Sequence, residues 1–176
     1  MNQQHKKDTL LRAQQKEREF LVAVESCQKP IYYFVRRMVN SHEDAHDICQ
    51  NTFVIAWEKW EQFKGQSKIS TWLHTIAYRE ALKHMDKQSK VTQLHHHPSQ
   101  ASRDFPFDGD EILLELNKAL HQLPEKQKAV FILRYFEEKS YQEIAEITGT
   151  SEGALKASFH HASEKIKTIF LKKNTH

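Results

Sequence analysis

Glycine, proline and cysteine are scarce in this sequence. Its 176 residues include four glycines, four prolines and two cysteines, Cys27 and Cys49. Gly and Pro punctuate β-rich folds, and long stretches without them that are dense in Ala, Leu, Glu, Lys and Gln favour helices. Two cysteines without C-x-x-C spacing are too few for a disulfide framework, so we expect both to be small buried side chains, with a redox role as the alternative. The expected fold class is therefore all-α.

The sequence also lacks a long apolar run. No segment approaches the roughly 18 apolar residues that a membrane span needs. The first residues, MNQQHKKDTLL, carry charge and do not form the apolar run of a signal peptide. We therefore expect a cytoplasmic protein. Its net charge of +3 permits binding to a polyanion without requiring it.

The hydrophobic pattern divides the chain into two halves. Apolar residues recur at helical spacing in each half, whereas Gln, Ser, His, Pro and Asp dominate between them without any period. This pattern predicts two small helical domains, residues 1–88 and 112–176, joined by a flexible linker over residues 89–111. The run His95–His97 lies in that linker, where it is read as solvated side chains, with transition-metal binding as the alternative.

Local signals place the helices of the first half. Pro30 can begin a further helical turn, because the first residues of a helix need no amide donor. Ser41 has the character of an N-cap and launches a helix that ends before Gly65. A short polar loop then leads into a third amphipathic helix, which is expected to reach about Lys87.

The most informative segment runs from Ser140 to Ile166. Ser140 and Glu143 form the pattern of a capping box, Gly149 can supply the left-handed backbone of a tight turn, and Ser151 can cap the following helix. This spacing predicts a helix-turn-helix, with Leu155 locking the two helices together.

In a helix-turn-helix the second helix lies in the major groove of DNA. The candidates for contact with DNA lie on or beside that helix: Ser151, Lys156, Ser158, His160 and His161. The alternative is a helical hairpin that binds protein.

Three segments resemble regions of a known family. Residues 116–166, including Leu123-Pro124-Glu125 and the helix-turn-helix, resemble the promoter −35-binding region 4 of extracytoplasmic-function (ECF) sigma factors. Residues 42–60, HEDAHDICQNTFVIAWEKW, resemble region 2.2 of the same family, and residues 63–87 resemble regions 2.3 and 2.4. The segments occur in the family's order and cover most of the chain. The resemblance implies a sigma factor, which directs RNA polymerase to promoters.

The resemblance also implies roles for two further sets of residues. The helix that would dock on core polymerase carries Asp44, Asp47, Gln50, Phe53 and Trp57. The residues that would meet the −10 strand are cationic or aromatic: Lys64, Lys68, Trp72, Tyr78, Arg79 and Lys83. For Phe53 and Trp57 a place in the core is an equal alternative. Burial in the core and contact with a base are both open for Trp72 and Tyr78.

The partners implied by the resemblance are core RNA polymerase, through its β′ clamp helices and β flap, promoter DNA, and a membrane-linked anti-sigma factor. No cofactor, metal, small-molecule substrate or catalytic residue is expected. Two positions depart from the family pattern: Arg79-Glu80 stands where many relatives have Asn and an apolar residue, and the recognition helix has Ser158, His161 and Ser163 where many have arginines. Base preferences of relatives therefore do not transfer, and binding to the −35 element is expected to be weakened by the missing cations.

Three other functions are alternatives to the sigma factor that the resemblance implies. His42-Glu43-Asp44-Ala45-His46 matches the H-E-x-x-H pattern of a zinc metalloprotease, although no third ligand stands out and His42 lies beside the expected cap. A homodimeric helix-turn-helix regulator would bind its operator without polymerase. A protein-interaction adaptor would show no dependence on DNA.

Overall fold

The structure is a computed structural model, and the part of the chain it describes consists of helices joined by loops. It describes the backbone of residues 3–95 and 111–173, and the side chains of residues 11–91 and 112–172. Those ranges contain seven α-helices, two short helical turns and no strand. The expected all-α class is confirmed. No helix in these ranges is long and apolar enough to cross a membrane.

The first half is a bundle of three long helices. They are α1 (Gln3–Met38), α2 (His42–Glu58) and α3 (Ile69–His95), with a short 3-10 turn (Trp60–Gln62) after α2. The helices bury an apolar core in which Ile31, Phe34 and Leu73 are fully inaccessible to solvent. Ser41 caps α2 as expected, since its hydroxyl accepts a hydrogen bond of 3.0 Å from the amide of Asp44.

Two helix boundaries differ from those expected. Pro30 does not begin a new turn, because α1 runs through it without interruption. A proline inside a helix costs about 3 kcal/mol, and the buried residues on both sides of it, Cys27 and Ile31, supply the packing that offsets this cost. Helix α3 continues past Lys87 to His95, supported by a 2.7 Å pair between Lys90 and Asp86 one turn apart.

The second half contains the shorter helices. They are α4 (Glu111–Leu120), α5 (Glu125–Phe131), a π-helical turn (Ile132–Phe136), α6 (Tyr141–Thr148) and α7 (Glu152–Lys173). Helix α7 packs on α4, α5 and α6. The buried side chains at the centre include Leu120, Leu133, Ile144 and Leu155.

Both cysteines of the first half are buried as expected, and burial raises the pKa of the Cys49 thiol to about 12.

The two halves lie against each other. Helix α3 packs on α6, and α1 packs on α5 and on the π-helical turn. The apolar core is continuous from one half to the other. Residues 96–110, which make up most of the expected linker, lie outside the described residues, as do the side chains of the run His95–His97.

Candidate nucleic-acid interface

The helix-turn-helix forms through local hydrogen bonds. The hydroxyl of Ser140 accepts from the amide of Glu143 at 3.1 Å, and the Glu143 carboxylate accepts from the amide of Ser140 at 2.9 Å. At the other end of α6, Gly149 adopts a left-handed conformation with φ of 69° and donates its amide to the carbonyl of Ala145 at 2.8 Å. The capping box and the glycine turn both agree with the sequence prediction.

Apolar packing then fixes the angle between α6 and α7. Ile144 and Ile147 of α6, and Leu155 and Ala162 of α7, are all at most 1% exposed. The start of α7 is less tightly capped, since the amide of Ala154 lies 3.5 Å from the hydroxyl of Ser151. Helix α7 is therefore held by its core face, which leaves the opposite face open.

The open face of α7 carries most of the predicted duplex-binding residues. Ser151, Lys156, His160 and His161 are exposed, whereas Ser158 is half-buried. Lys156 and His160 lie one turn apart on a single face. Such a face can place polar and cationic groups against base edges and phosphates.

Two residues beside this face, Tyr141 and Arg134, were not singled out from the sequence. Tyr141, the first residue of α6, lies between two cations: the Arg134 guanidinium is 5.2 Å from its ring centroid and the Lys156 amine is 5.6 Å away. Two positively charged groups therefore lie beside the Tyr141 ring at the start of the helix-turn-helix. Sequence spacing gave no signal for this, because Arg134 and Lys156 are 22 residues apart.

The residues predicted to meet the −10 strand differ in exposure. Lys64, Arg79 and Lys83 are exposed, while Trp72 is half-buried and packs on Trp60 and Phe63 with ring centroids 6.0 and 5.1 Å away. Trp72 therefore belongs to an aromatic cluster at the edge of the first core, with part of its ring still accessible.

Tyr78 and Lys68 meet the second half of the chain. Tyr78 is only 6% exposed, and burial, followed by the nearby carboxylate of Glu125, raises its pKa. Lys68 is exposed but forms an ion pair of 2.9 Å with Glu143. The hydrogen bond from Lys68, together with that from the Ser140 amide, lowers the pKa of Glu143 to about 2.

The predicted docking helix, α2, presents a mixed face. Asp47, Gln50 and Trp57 are exposed and Phe53 is half-buried. Asp44 is engaged within the first half, where one carboxylate oxygen lies 3.2 Å from Nε2 of His84 and the other accepts from Gln88 at 3.1 Å.

Val54 also belongs to the exposed face of α2. It is 56% exposed and lies one turn from Gln50 and from Trp57. The positions 47, 50, 54 and 57 form a helical stripe that could have been found by spacing. The exposed apolar and aromatic side chains of this stripe, Val54 and Trp57, are of the kind found at protein-binding surfaces.

The histidine pair of the H-E-x-x-H pattern lies at the start of α2. The rings of His42 and His46 are 5.6 Å apart, and Nδ1 of His42 is 2.7 Å from the hydroxyl of Tyr32. Among the described residues, no group of three or more His, Cys, Asp or Glu side chains is arranged to hold a metal ion. Within the described part of the chain, the pair therefore has no third ligand of the kind that a catalytic zinc site uses.

Comparison with known families gives matches in both halves. The model of sigma-70 region 2 matches residues 23–91, and that of sigma-70 region 4 matches residues 113–166. The RNA polymerase sigma factor YlaC of Bacillus subtilis (strain 168) is 32% identical over 147 residues, which cover 80% of this chain and 84% of the relative. The ECF RNA polymerase sigma factor SigW of the same organism is 28% identical over 162 residues, 84% of this chain and 87% of the relative.

A solved structure resembles both halves together. It is the sigma factor RpoE in complex with the anti-sigma factor NepR from Bartonella quintana, with a TM-score of 0.74 and 25% identity. The match covers 86% of this chain and 96% of that chain. The likeness therefore extends over nearly the whole architecture.

Proposed function

Because this chain belongs to the sigma-70 family of RNA polymerase sigma factors, in its ECF group, we propose a division of labour between its two halves. Residues 1–88 bind core polymerase and the −10 element, residues 112–176 bind the −35 element, and residues 89–111 connect them. The two family matches, residues 23–91 and 113–166, support this division. A homodimeric regulator or a metalloprotease would not account for a match to region 2.

Binding of the −35 duplex is proposed for the exposed face of α7. The observation that carries it is the capped helix-turn-helix, which holds Lys156, His160 and His161 on one open surface. Ser151 and Ser158 add hydroxyl groups near the start of the same helix. Lys156 supplies positive charge for phosphate, and the remaining side chains can reach base edges.

Capture of the −10 strand is proposed for α3 and the loop before it. A single strand is held by cations along its backbone and by surfaces that receive unstacked bases. Lys64, Lys68, Arg79 and Lys83 are the proposed cations. Trp72 and Tyr78 are the proposed aromatic surfaces, and Trp72 is already partly accessible.

Docking on the β′ clamp helices of core polymerase is proposed for α2. Its exposed stripe of Asp47, Gln50, Val54 and Trp57, with Phe53 at the edge, offers charge and apolar surface together. Asp44, also predicted there, would first have to leave His84. Region 4 would meet the β flap. An anti-sigma factor is a further proposed partner, supported by the Bartonella sigma factor whose structure includes one; its link to a membrane stays a prediction.

We propose that the protein acts in the cytoplasm, where RNA polymerase works, and performs no chemistry itself. It positions RNA polymerase on the promoter and binds the −10 strand. The polymerase supplies the catalytic residues of transcription.

The test is transcription by sigma-free core polymerase, with and without this protein, on fragmented genomic DNA from its own source. New start sites that share two short upstream elements are the expected result. Folded protein that neither binds core polymerase nor produces new transcripts would overturn the proposal. Operator selection by the protein alone would then test the homodimeric regulator.

A further inference from the structure

Two adjacent histidines occupy the open face of α7. His160 and His161 are both exposed, and their ring centroids lie 6.0 Å apart with an angle of 56° between the ring planes. The residues on either side of them face the core, since Ala162 is fully buried and Phe159 is half-buried. The backbone that carries the two rings is therefore held by packing, whereas the imidazole groups are open to solvent.

The charged groups closest to this pair along α7 are of both signs. Lys156 lies one turn before His160, and Glu164 and Lys165 lie one turn after the two histidines. The amine of Lys165 is already engaged, because it donates a 2.7 Å hydrogen bond to the carbonyl of Gln122. Lys156 is therefore the cation of α7 that shares the open face with the histidines.

The elements packed against α7 add one cation to this surface. Arg134 of the π-helical turn lies beside the Tyr141 ring, as does Lys156. Neither histidine forms an ion pair with a described charged side chain of α4, α5 or α6, which are Glu115, Lys118, Glu125, Lys126, Lys128, Glu143 and Glu146. In the part of the chain that the structure describes, the two rings are thus left to interact with solvent or with a ligand.

The chemistry of histidine makes such a pair sensitive to pH. Near pH 6.5 an ordinary histidine changes from a neutral ring with one N–H donor to a cation with two. Phosphate oxygens favour the cation, and the extra donor can also reach acceptor atoms in the major groove. In the free protein, repulsion between rings 6.0 Å apart and from Lys156 opposes the charging of both. A duplex placed against this face offsets that repulsion.

Resting on the proposed function, we propose that His160 and His161 take up protons when α7 enters the −35 duplex, so that affinity for the duplex rises as pH falls. The two rings are then a titrating part of the duplex-binding surface, beside the permanent charge of Lys156. Linkage gives the sign. A duplex that favours the protonated rings binds more tightly at a pH where the rings can be charged, and gains nothing from them well above that range.

The test measures the affinity of the full-length protein for a fluorescently labelled duplex at about pH 8 and about pH 6, over a series of salt concentrations. The duplex carries the upstream element of a promoter mapped with core polymerase. Wild-type protein is expected to bind about fivefold or more tightly at the lower pH, which corresponds to roughly half a pKa unit of differential interaction for each ring. The slope of log affinity against log salt should also become steeper, by about 0.9 for each ring that reaches a phosphate.

Two double variants separate this pair from a general gain of positive charge. His160→Gln with His161→Gln removes the two rings from α7 and should abolish most of the gain at low pH. His42→Gln with His46→Gln removes two exposed histidines from the start of α2 and should keep the gain. Equal pH dependence in the two double variants would overturn the proposal, because the net charge of the whole chain would then account for the gain.

A third double variant replaces the titrating groups by permanent cations. His160→Arg with His161→Arg should bind the duplex at about pH 8 as tightly as wild type binds at about pH 6, and its affinity should change little between them. It keeps the test valid if the glutamine variant binds too weakly to measure. An arginine variant that retains the full pH dependence of wild type would contradict the assigned role.

Transcription with core polymerase separates this inference from the proposed function. If wild-type protein starts no transcription with core polymerase, the proposed function fails, whatever the pH dependence of duplex binding. If transcription proceeds and wild-type affinity for the duplex is the same at both pH values, only the role of the histidine pair is wrong.

Discussion

The two surfaces proposed to meet promoter DNA differ in how far solvent reaches them. On the helix-turn-helix, Lys156 and His160 are exposed side by side. On α3 and its preceding loop, Tyr78 is 6% exposed and Lys68 is held by Glu143. The surface proposed for the duplex is open to solvent, while the surface proposed for the strand is partly covered by the chain itself.

The difference follows from the range of the contacts that build each surface. The capping box and the glycine turn of the helix-turn-helix join residues three or four positions apart. The ion pair of Lys68 with Glu143, which covers part of the proposed −10 surface, joins residues 75 positions apart, and the hydrogen bond of Lys128 to Met38 between the two halves spans 90 positions. The surface proposed for the duplex therefore depends on local structure, whereas the surface proposed for the strand depends on how the halves are arranged.

Removal of the Leu155 side chain, which packs α7 against α6, should have the largest effect on stability and should disrupt the surface proposed for the duplex. Leu155 is 1% exposed, and Leu155→Ala is expected to lower the free energy of unfolding by about 2–5 kcal/mol through lost burial and a residual cavity. Urea denaturation measures the change. Leu171→Ala, at a position 59% exposed on the same helix, is the control and should change it by no more than about 0.5 kcal/mol. Similar losses in the two variants would contradict the assigned core.

Replacement of Lys128, whose amine donates a hydrogen bond to the Met38 carbonyl across the contact between the halves, should change how stability depends on pH. Burial lowers the pKa of Lys128 to about 8, with a smaller opposing effect of Glu125. In the unfolded chain this amine takes up its proton near pH 10.5, so its contribution to wild-type stability should fall by about 3 kcal/mol as pH drops from 10.5 to 8 and should change no further below that range.

Lys128→Met removes this contribution to the pH dependence. The measurement is the difference in unfolding free energy between variant and wild type at each pH, which cancels the ionisation of Cys49 and Tyr78 at high pH. Lys126→Met, at an exposed position on the same helix, serves as the control. A difference that does not vary between pH 8 and 10.5 would show that the Lys128 amine is not buried in the folded protein.

A smaller effect on stability is expected from substitution of two glycines, Gly149 in the turn of the helix-turn-helix and Gly153 near the start of α7. Gly149→Ala places a side chain at φ of 69° and should cost about 1–2 kcal/mol, although nothing lies within 4 Å of the added atom. Gly153→Ala, inside α7 and equally uncrowded, should stabilise by about 0.5–1 kcal/mol. Thermal unfolding of both variants measures the contrast. Shifts of the same sign would argue against the left-handed turn.

Local chemistry explains which features could be predicted from the sequence. The caps at Ser41 and Ser140 and the turn at Gly149 each depend on a few neighbouring residues, and all three are confirmed. The continuous path of α1 through Pro30 was missed, because it depends on packing against other helices. The role of Lys128 was missed for the same reason, since nothing near it in the chain indicates a partner 90 residues away.

The smallest effect tests the open surface alone. Lys156 is exposed on α7, and its amine lies 3.9 Å from Glu152, an exposed pair that contributes little to stability. If Lys156 contacts phosphate, Lys156→Ala should weaken duplex binding across all sequences and reduce the slope of log affinity against log salt by about 1. Lys172→Ala, near the end of the same helix, is the matched loss of charge and should leave the slope nearly unchanged. A salt slope for Lys156→Ala equal to that of wild type would remove Lys156 from the phosphate contacts, and would leave Arg134 beside Tyr141 as the cation to test next.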